Sequence, residues 1–178
     1  SKSSKSRGIA EKRIKEIFEG TTIVRLDVLF GKNDGLFFRF GKIIKLLPMI
    51  PLPKESKAIF NPLFVKDAAH AIDKIVKNKM FHGKLFELFG PKSYSWEELM
   101  VFFKKNIQSK VFLIKVPINL LSFPALFFGF LPNPLITIDQ LRRFKVRIEY
   151  DKKNLTMKDL SIKTSSIETE MPKYLKNF

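Results

Sequence analysis

Gly83-Lys84-Leu85-Phe86-Glu87-Leu88-Phe89-Gly90-Pro91 is the stretch on which the fold turns. A largely apolar run lies between glycines, and Gly90-Pro91 cannot extend it, so residues 84–89 are predicted to form a strand that stops there. Downstream, Ser95-Trp96-Glu97-Glu98 has capping-box spacing and opens a helix with Leu99, Phe102, Phe103 and Ile107 on one stripe. Residues 111–116 are strand-like again. Upstream, Asp67 is placed to cap a helix whose stripe is Ala68, Ala71, Ile72, Ile75 and Val76. Before it, residues 59–65 read as a strand that Pro62 pushes to an edge or entry position.

Earlier still, Leu36, Phe37, Phe40, Ile43, Ile44 and Leu47 keep helical spacing, and Pro48, Pro51 and Pro53 then predict a loop. Residues 21–26 are β-branched and mostly apolar, as a buried strand should be. An amphipathic helix with Ala10, Ile14, Ile17 and Phe18 on one face precedes them, and Gly20 is its expected C-cap. Helices and strands alternate from residue 10 to residue 116, and that order predicts an α/β fold with a mostly parallel sheet. Residues 118–131 have almost no polar face. Thr137 with Gln140 opens a short helix, and Ser165 with Glu168 opens one in the tail.

The chain has 178 residues, 45% of them hydrophobic, enough for a sizeable core. Cysteine is absent, which excludes disulfides, thiolate metal sites and a Cys nucleophile, and two histidines argue against a His-based metal centre. Net charge is +16, with Lys far above Arg. That balance admits nucleic acid, an anionic membrane surface or an acidic partner. Neither interleaved Arg and aromatics nor a reading motif is present, so nucleic acid is not the expected partner. No apolar run reaches the roughly 18–20 residues of a spanning helix.

Parallel strands need neighbours, and the first strand here follows the first helix at once, with nothing before it to pair with. None of Gly8, Gly20, Gly31, Gly35, Gly41, Gly83, Gly90 and Gly129 fall in the G-x-G-x-x-G spacing that grips a dinucleotide pyrophosphate. The expectation is therefore the second half of a larger α/β protein.

Four landmarks in order carry a family resemblance: Ile23-Val24-Arg25 after a helix, Asp27 to Asp34, Phe64 to Ala69, and Gly83 to Pro91 followed by Tyr94. Pro134, Thr137, Asp139 and Arg143 after an apolar helix add to them. The chain resembles the C-terminal half of extended short-chain dehydrogenase/reductases of the NAD-dependent epimerase/dehydratase type. Within that family it resembles the complex I accessory subunits called subunit nine of the alpha subcomplex and their bacterial relatives.

The resemblance implies the C-terminal portion of a Rossmann-like, doubly wound parallel sheet with a small mixed α/β substrate-side subdomain. Residues 1–116 would hold the second Rossmann half with interleaved subdomain strands, and 117–178 the apolar and capped helices. It implies an N-terminal Rossmann half as partner, in the same protein or a separate chain. It also implies hydrophilic-arm and membrane subunits of complex I, and a membrane surface met through residues 118–131. The location would be the matrix face of the mitochondrial inner membrane, or the cytoplasmic face of a bacterial one. NADP or NAD would be a structural ligand dependent on the N-terminal half.

Active members of that family carry Tyr-x-x-x-Lys. Here Ser3 stands for the Tyr and Arg7 for the Lys. A Ser hydroxyl is too short and too weakly acidic to replace a phenol, and Arg does not shuttle protons although it can hold ribose or phosphate. The resemblance thus implies no catalytic residues, and cofactor contacts at Arg7, Leu26, Asp27 and Val28, with Leu26 where many relatives have Pro. The bland readings stand beside these: Asp67 as a cap, Asp27 as a polar strand end, His70 and His82 as surface histidines, and Arg39, Lys42 and Lys45 as a solvated face. Two rivals remain, an NAD(P)-dependent epimerase or reductase of a nucleotide sugar or other small substrate, and a membrane-peripheral binding module.

Overall fold

The computed structural model describes residues 2–32, 34–35, 37–121, 138–147 and 150–175. Its elements are α1 (Lys2–Ile17), β1 (Ile23–Leu26), β2 (Leu29–Phe30), α2 (Phe37–Leu46), β3 (Met49–Pro53), β4 (Ile59–Phe60), β5 (Leu63–Phe64) and α3 (Val65–Lys77). A 3₁₀ turn at Lys79–Phe81 leads into β6 (Leu85–Leu88), β7 (Tyr94–Ser95), α4 (Trp96–Ile107) and β8 (Phe112–Val116). Three short helices follow: α5 (Ile138–Phe144), α6 (Ile167–Glu170) and α7 (Pro172–Leu175).

The architecture is mixed α/β with parallel pairing, as expected. β1 runs parallel to β6 with Val24 opposite Phe86, β2 parallel to β5, and β3 parallel to β8, while β4 and β7 are antiparallel. Leu155 continues the first sheet on the far side of β6: Glu87 N–H donates to Leu155 O at 2.8 Å, and Leu155 N–H to Leu85 O at 3.1 Å. Among the described residues, no strand pairs with the other edge of β1.

Two apolar clusters hold these layers. Ala68, Ala71 and Ile75 of α3 pack on Leu63, Phe86 and Leu88 beside β1 and β6, closed by Met157 and Leu160. Phe37, Ile44, Ile50, Leu52, Trp96, Leu99 and Phe103 join α2 and α4 to the β3–β8 ribbon. In the latter, the Trp96 indole meets the Phe40 ring edge-on, with centroids 4.7 Å apart.

The local rules held in part. The Ser95–Glu98 capping box is formed with both reciprocal bonds. The predicted loop over Pro48, Pro51 and Pro53 is instead strand β3. Phe112 N–H donates to Pro48 O and Lys54 N–H to Val116 O, so the even positions face β8. Pro51 and Pro53 lie on the odd positions, whose missing N–H groups would point away from the partner, and the ladder loses nothing. Asp67 does not cap α3. The cap residue is Phe64 without a side-chain bond, and the Asp67 carboxylate accepts instead from Ser165 N–H at 2.6 Å. Ser166 rather than Ser165 caps α6, accepting from Thr169 N–H. Residues 59–65 split into β4 and β5 around Asn61-Pro62. Helix α1 stops at Ile17, and Gly20 lies in a turn rather than a left-handed cap. Strand β1 is only half-buried at Ile23 and Val24 and exposed at Arg25 and Leu26. The predicted apolar face of α1 is uncovered as well: Ile17 is 85% and Phe18 66% exposed. Residues 122–137 lie outside the described residues, and with them most of the apolar run, Pro134 and the Thr137 cap.

Candidate functional site

In a parallel sheet, ligands gather at the carboxyl ends of the strands. Here β1 ends at Leu26 and β6 at Leu88, so the segments that follow, Asp27-Val28 and Phe89-Gly90, face that end. Asp27 is its hub. One carboxylate oxygen, Oδ1, accepts from Val28 N–H at 2.6 Å. The other, Oδ2, accepts from Asn61 N–H at 2.9 Å, from Asn61 Nδ2 at 3.0 Å and from the Tyr150 hydroxyl. Asn61 also donates to Tyr150 Oη at 2.9 Å and accepts from Ser93 Oγ at 2.5 Å. The Tyr150 ring stacks at a tilt on Phe89, with centroids 4.3 Å apart.

Glycine is required at the rim of this hub. A Cβ on Gly90 would fall 1.8 Å from Pro62 O, and Gly90 N–H donates to Asn61 O at 3.0 Å. This close approach locks residues 61–62 to the strand end and sets where Asn61 stands.

Burial pushes the Tyr150 phenol up, and its hydrogen bond to the Asp27 carboxylate pushes it further. Both effects keep the Tyr150 hydroxyl protonated, and it donates to Asp27.

A second polar group ties α1 to the sheet. Arg25 on β1 donates from Nη2 to Glu11 at 2.7 Å and from Nη1 to the buried Glu87 at 2.9 Å. Glu87 also accepts from Asp151 N–H at 2.9 Å. The hydrogen bond from Arg25 outweighs burial and lowers Glu11, and the two carboxylates raise Arg25 in turn.

The sequence-predicted residues are placed as follows. Ser3 lies in α1, and its side chain is outside the described residues. Arg7 is exposed on α1, and Tyr150 bonds Asp27 and Asn61. Leu26 is exposed and Val28 half-buried at the strand end. The structure brings Leu26, Asp27 and Val28 together by chain continuity. The Asp27 carboxylate accepts from three donors on Oδ2 and from Val28 N–H on Oδ1. His70 and His82 are exposed. Among the described residues, no group of three His, Asp or Glu side chains is placed to hold a metal. Sequence reading missed Asn61, Ser93 and Tyr150. Tyr150 is 123 positions from Asp27, and no short motif links them.

Parallel strand pairs with polar side chains gathered at the carboxyl end, covered by a helix and set beside a second strand-and-helix layer, define a Rossmann-like α/β fold. The solved structures agree on that fold. Over 94% of this chain and 50% of the other, it matches the dTDP-4-dehydrorhamnose reductase of Bacillus anthracis, a structure in complex with NADP, with TM-score 0.56 and 18% identity. It matches a nucleoside-diphosphate-sugar epimerase from Staphylococcus aureus with TM-score 0.61 and 16% identity, covering 91% of this chain and 55% of that one.

Among curated proteins, the chain is similar to subunits of respiratory complex I. It is 28% identical to the mitochondrial NADH dehydrogenase (ubiquinone) 1 alpha subcomplex subunit 9 of Dictyostelium discoideum, over 94% of this chain and 48% of the relative. It is 27% identical to the mitochondrial NADH-ubiquinone oxidoreductase 40 kDa subunit of Neurospora crassa, over 98% of this chain and 45% of the relative. The mouse subunit 9 is 23% identical over 94% of this chain. The chain thus spans about half the length of the curated relatives it matches. No family model matches it.

Proposed function

We propose that this chain is the carboxyl-terminal portion of a non-catalytic, short-chain-dehydrogenase-like accessory or assembly subunit of respiratory NADH:quinone oxidoreductase. The observation that carries this reading is the continuous similarity to subunit 9 and 40 kDa subunits over nearly the whole chain. Ser3 and Arg7 in place of the family's Tyr and Lys support the non-catalytic part.

An amino-terminal Rossmann half would pair with the open edge of β1 and cover Ile14, Ile17 and Phe18 of α1. Unpaired strand edges and exposed apolar helix faces are otherwise aggregation sites. NADP or NAD would bind there as a structural ligand, its pyrophosphate gripped by that half. Arg7 and Leu26 would stand at the nicotinamide-ribose end of this one. The protein would lie on the inner membrane, on the matrix face in mitochondria or the cytoplasmic face in bacteria, with residues 118–131 toward the lipid.

Depletion tests this. Loss of the protein should lower the amount of assembled NADH:quinone oxidoreductase, and re-expression of the protein should restore it. Unchanged assembly after depletion would contradict the proposal.

The likeness to an NADP-bound reductase and to a sugar-nucleotide epimerase favours a second reading, an enzyme on a nucleotide sugar or other small substrate. Turnover of NAD(P)H by the full-length protein, abolished by Arg7→Ala, would establish it.

A further inference from the structure

The ribbon β3–β8 has one buried face and one open one. Ile50 and Leu52 point into the core. Parallel register places Met49 opposite Phe112 and Pro51 opposite Ile114, so these four share the other face. That face is uncovered: Phe112 is 68% and Met49 53% exposed, and Ile114 is exposed too. Leu46, at the end of α2 just before β3, is 82% exposed. Aliphatic and aromatic side chains of this size, grouped rather than scattered, mark an interaction surface.

Its rim is cationic. Phe112 and Leu113 line a groove with Val101, Lys104 and Lys105 of α4, and no carboxylate lines it among the described residues. Lys45 precedes Leu46, and Lys110 lies two residues before Phe112. Protein interfaces are enriched in Tyr, Trp, Phe, Met and Arg and depleted in Lys, so the lysine rim is what sets this surface apart from them. This surface has Lys, Leu, Met, Ile and Phe, the composition of an element that lies in a lipid interface. Lysine stems reach outward along apolar surface and leave the ammonium groups among headgroups. After β8, with only Pro117 between, the chain enters the apolar run 118–131.

We propose that the open face of the β3–β8 ribbon, with Leu46, is a second membrane contact that seats on an anionic lipid surface. Phe112, Met49, Ile114 and Leu46 enter the acyl boundary, and Lys104, Lys105 and Lys110 meet the headgroups. This deepens the peripheral-membrane part of the proposed function and rests on it. It adds a rigid, sheet-borne contact to the one expected from 118–131.

Flotation of the full chain with vesicles tests it, comparing phosphatidylcholine alone with a mixture containing about 30% phosphatidylglycerol. Binding should be at least about tenfold stronger to the anionic vesicles and should fall when salt rises from about 0.05 to 0.5 M. Phe112→Asp with Ile114→Asp should cut it about tenfold or more. Both side chains are exposed, so circular dichroism should match the parent. A Phe112→Trp variant gives an independent readout: its emission should shift to the blue on anionic vesicles and be quenched by brominated acyl chains. If Phe127→Asp with Phe128→Asp abolishes flotation while the ribbon variant floats normally, the membrane reading stands and the ribbon proposal falls. If no vesicle binds the chain, both fall, and an acidic protein partner becomes the occupant to seek.

Discussion

Replacing Tyr150 with Phe separates a structural phenol from a catalytic one. The change removes the O–H donor to Asp27 and the acceptor for Asn61 Nδ2, and keeps the ring on Phe89. A hydrogen bond to a charged group contributes about 1.5–3 kcal/mol. Asp27 keeps three N–H donors and Asn61 Nδ2 keeps Asp27 Oδ2, so the neighbours are not orphaned. The expected loss is therefore near the lower half of that range, about 2 kcal/mol. At about 2–4 °C per kcal/mol for a chain of this size, Tm should fall by about 4–8 °C. Asp27→Asn should cost more, because an amide presents N–H groups to donors that already point at it. The double variant should be non-additive, as for any pair in direct contact. Thermal unfolding followed by circular dichroism reads all three. A Tyr150→Phe change that leaves Tm within about 1 °C of the parent while abolishing NAD(P)H turnover of the full-length protein would refute the reasoning and make Tyr150 a catalytic residue.

Gly90→Ala should destabilise by about 1–3 kcal/mol or more, since its Cβ would fall 1.8 Å from a backbone oxygen. Gly8→Ala, in α1 with nothing within 4 Å, should be neutral or stabilising by up to about 1 kcal/mol. Parallel urea titrations check the pair. Ser95→Ala should cost about 1 kcal/mol by removing one arm of the α4 capping box, read in the same titrations. Glu168 has the clearest pH signature. Burial pushes it up, but the Tyr94 hydroxyl facing it and Lys92 at 2.9 Å outweigh this and hold it down to about 2. The Tyr94 hydroxyl stops short of full hydrogen-bond geometry, so Lys92 carries the firmer contact. A depressed carboxylate stabilises the fold above its unfolded pKa of about 4.3, and the contribution disappears as pH falls toward 2. Glu168→Gln should flatten the loss of stability between about pH 4.5 and 2. An unchanged slope would contradict the assignment.

Much of the fold was legible because local chemistry and tertiary packing agree there. Ser95 and Glu98 specify a helix start that nothing opposes. Of the predicted stripe, Ala68, Ala71 and Ile75 are buried, while Ile72 and Val76 at its margin are exposed. The failures occur where a partner decides. Pro51 and Pro53 are strand-compatible only because they share the outward parity of an edge paired on one side, which no local rule reveals. Asp67 is a plausible cap until the tail brings Ser165 N–H to its carboxylate. The strand-end hub was half legible: Asp27 follows a strand in a familiar position, but Asn61, Ser93 and Tyr150 converge on it from three other segments. The uncovered faces of α1 and of β3–β8 are apolar in the sequence, but only the structure shows that nothing described covers them.

The most direct test of the account is mass spectrometry of the native NADH:quinone oxidoreductase purified from membranes of cells that make this protein. The account predicts peptides of this chain in that complex, in a fixed ratio near one copy per core subunit. Recovery of the chain only in the soluble fraction, free of every subunit of the complex, would contradict it.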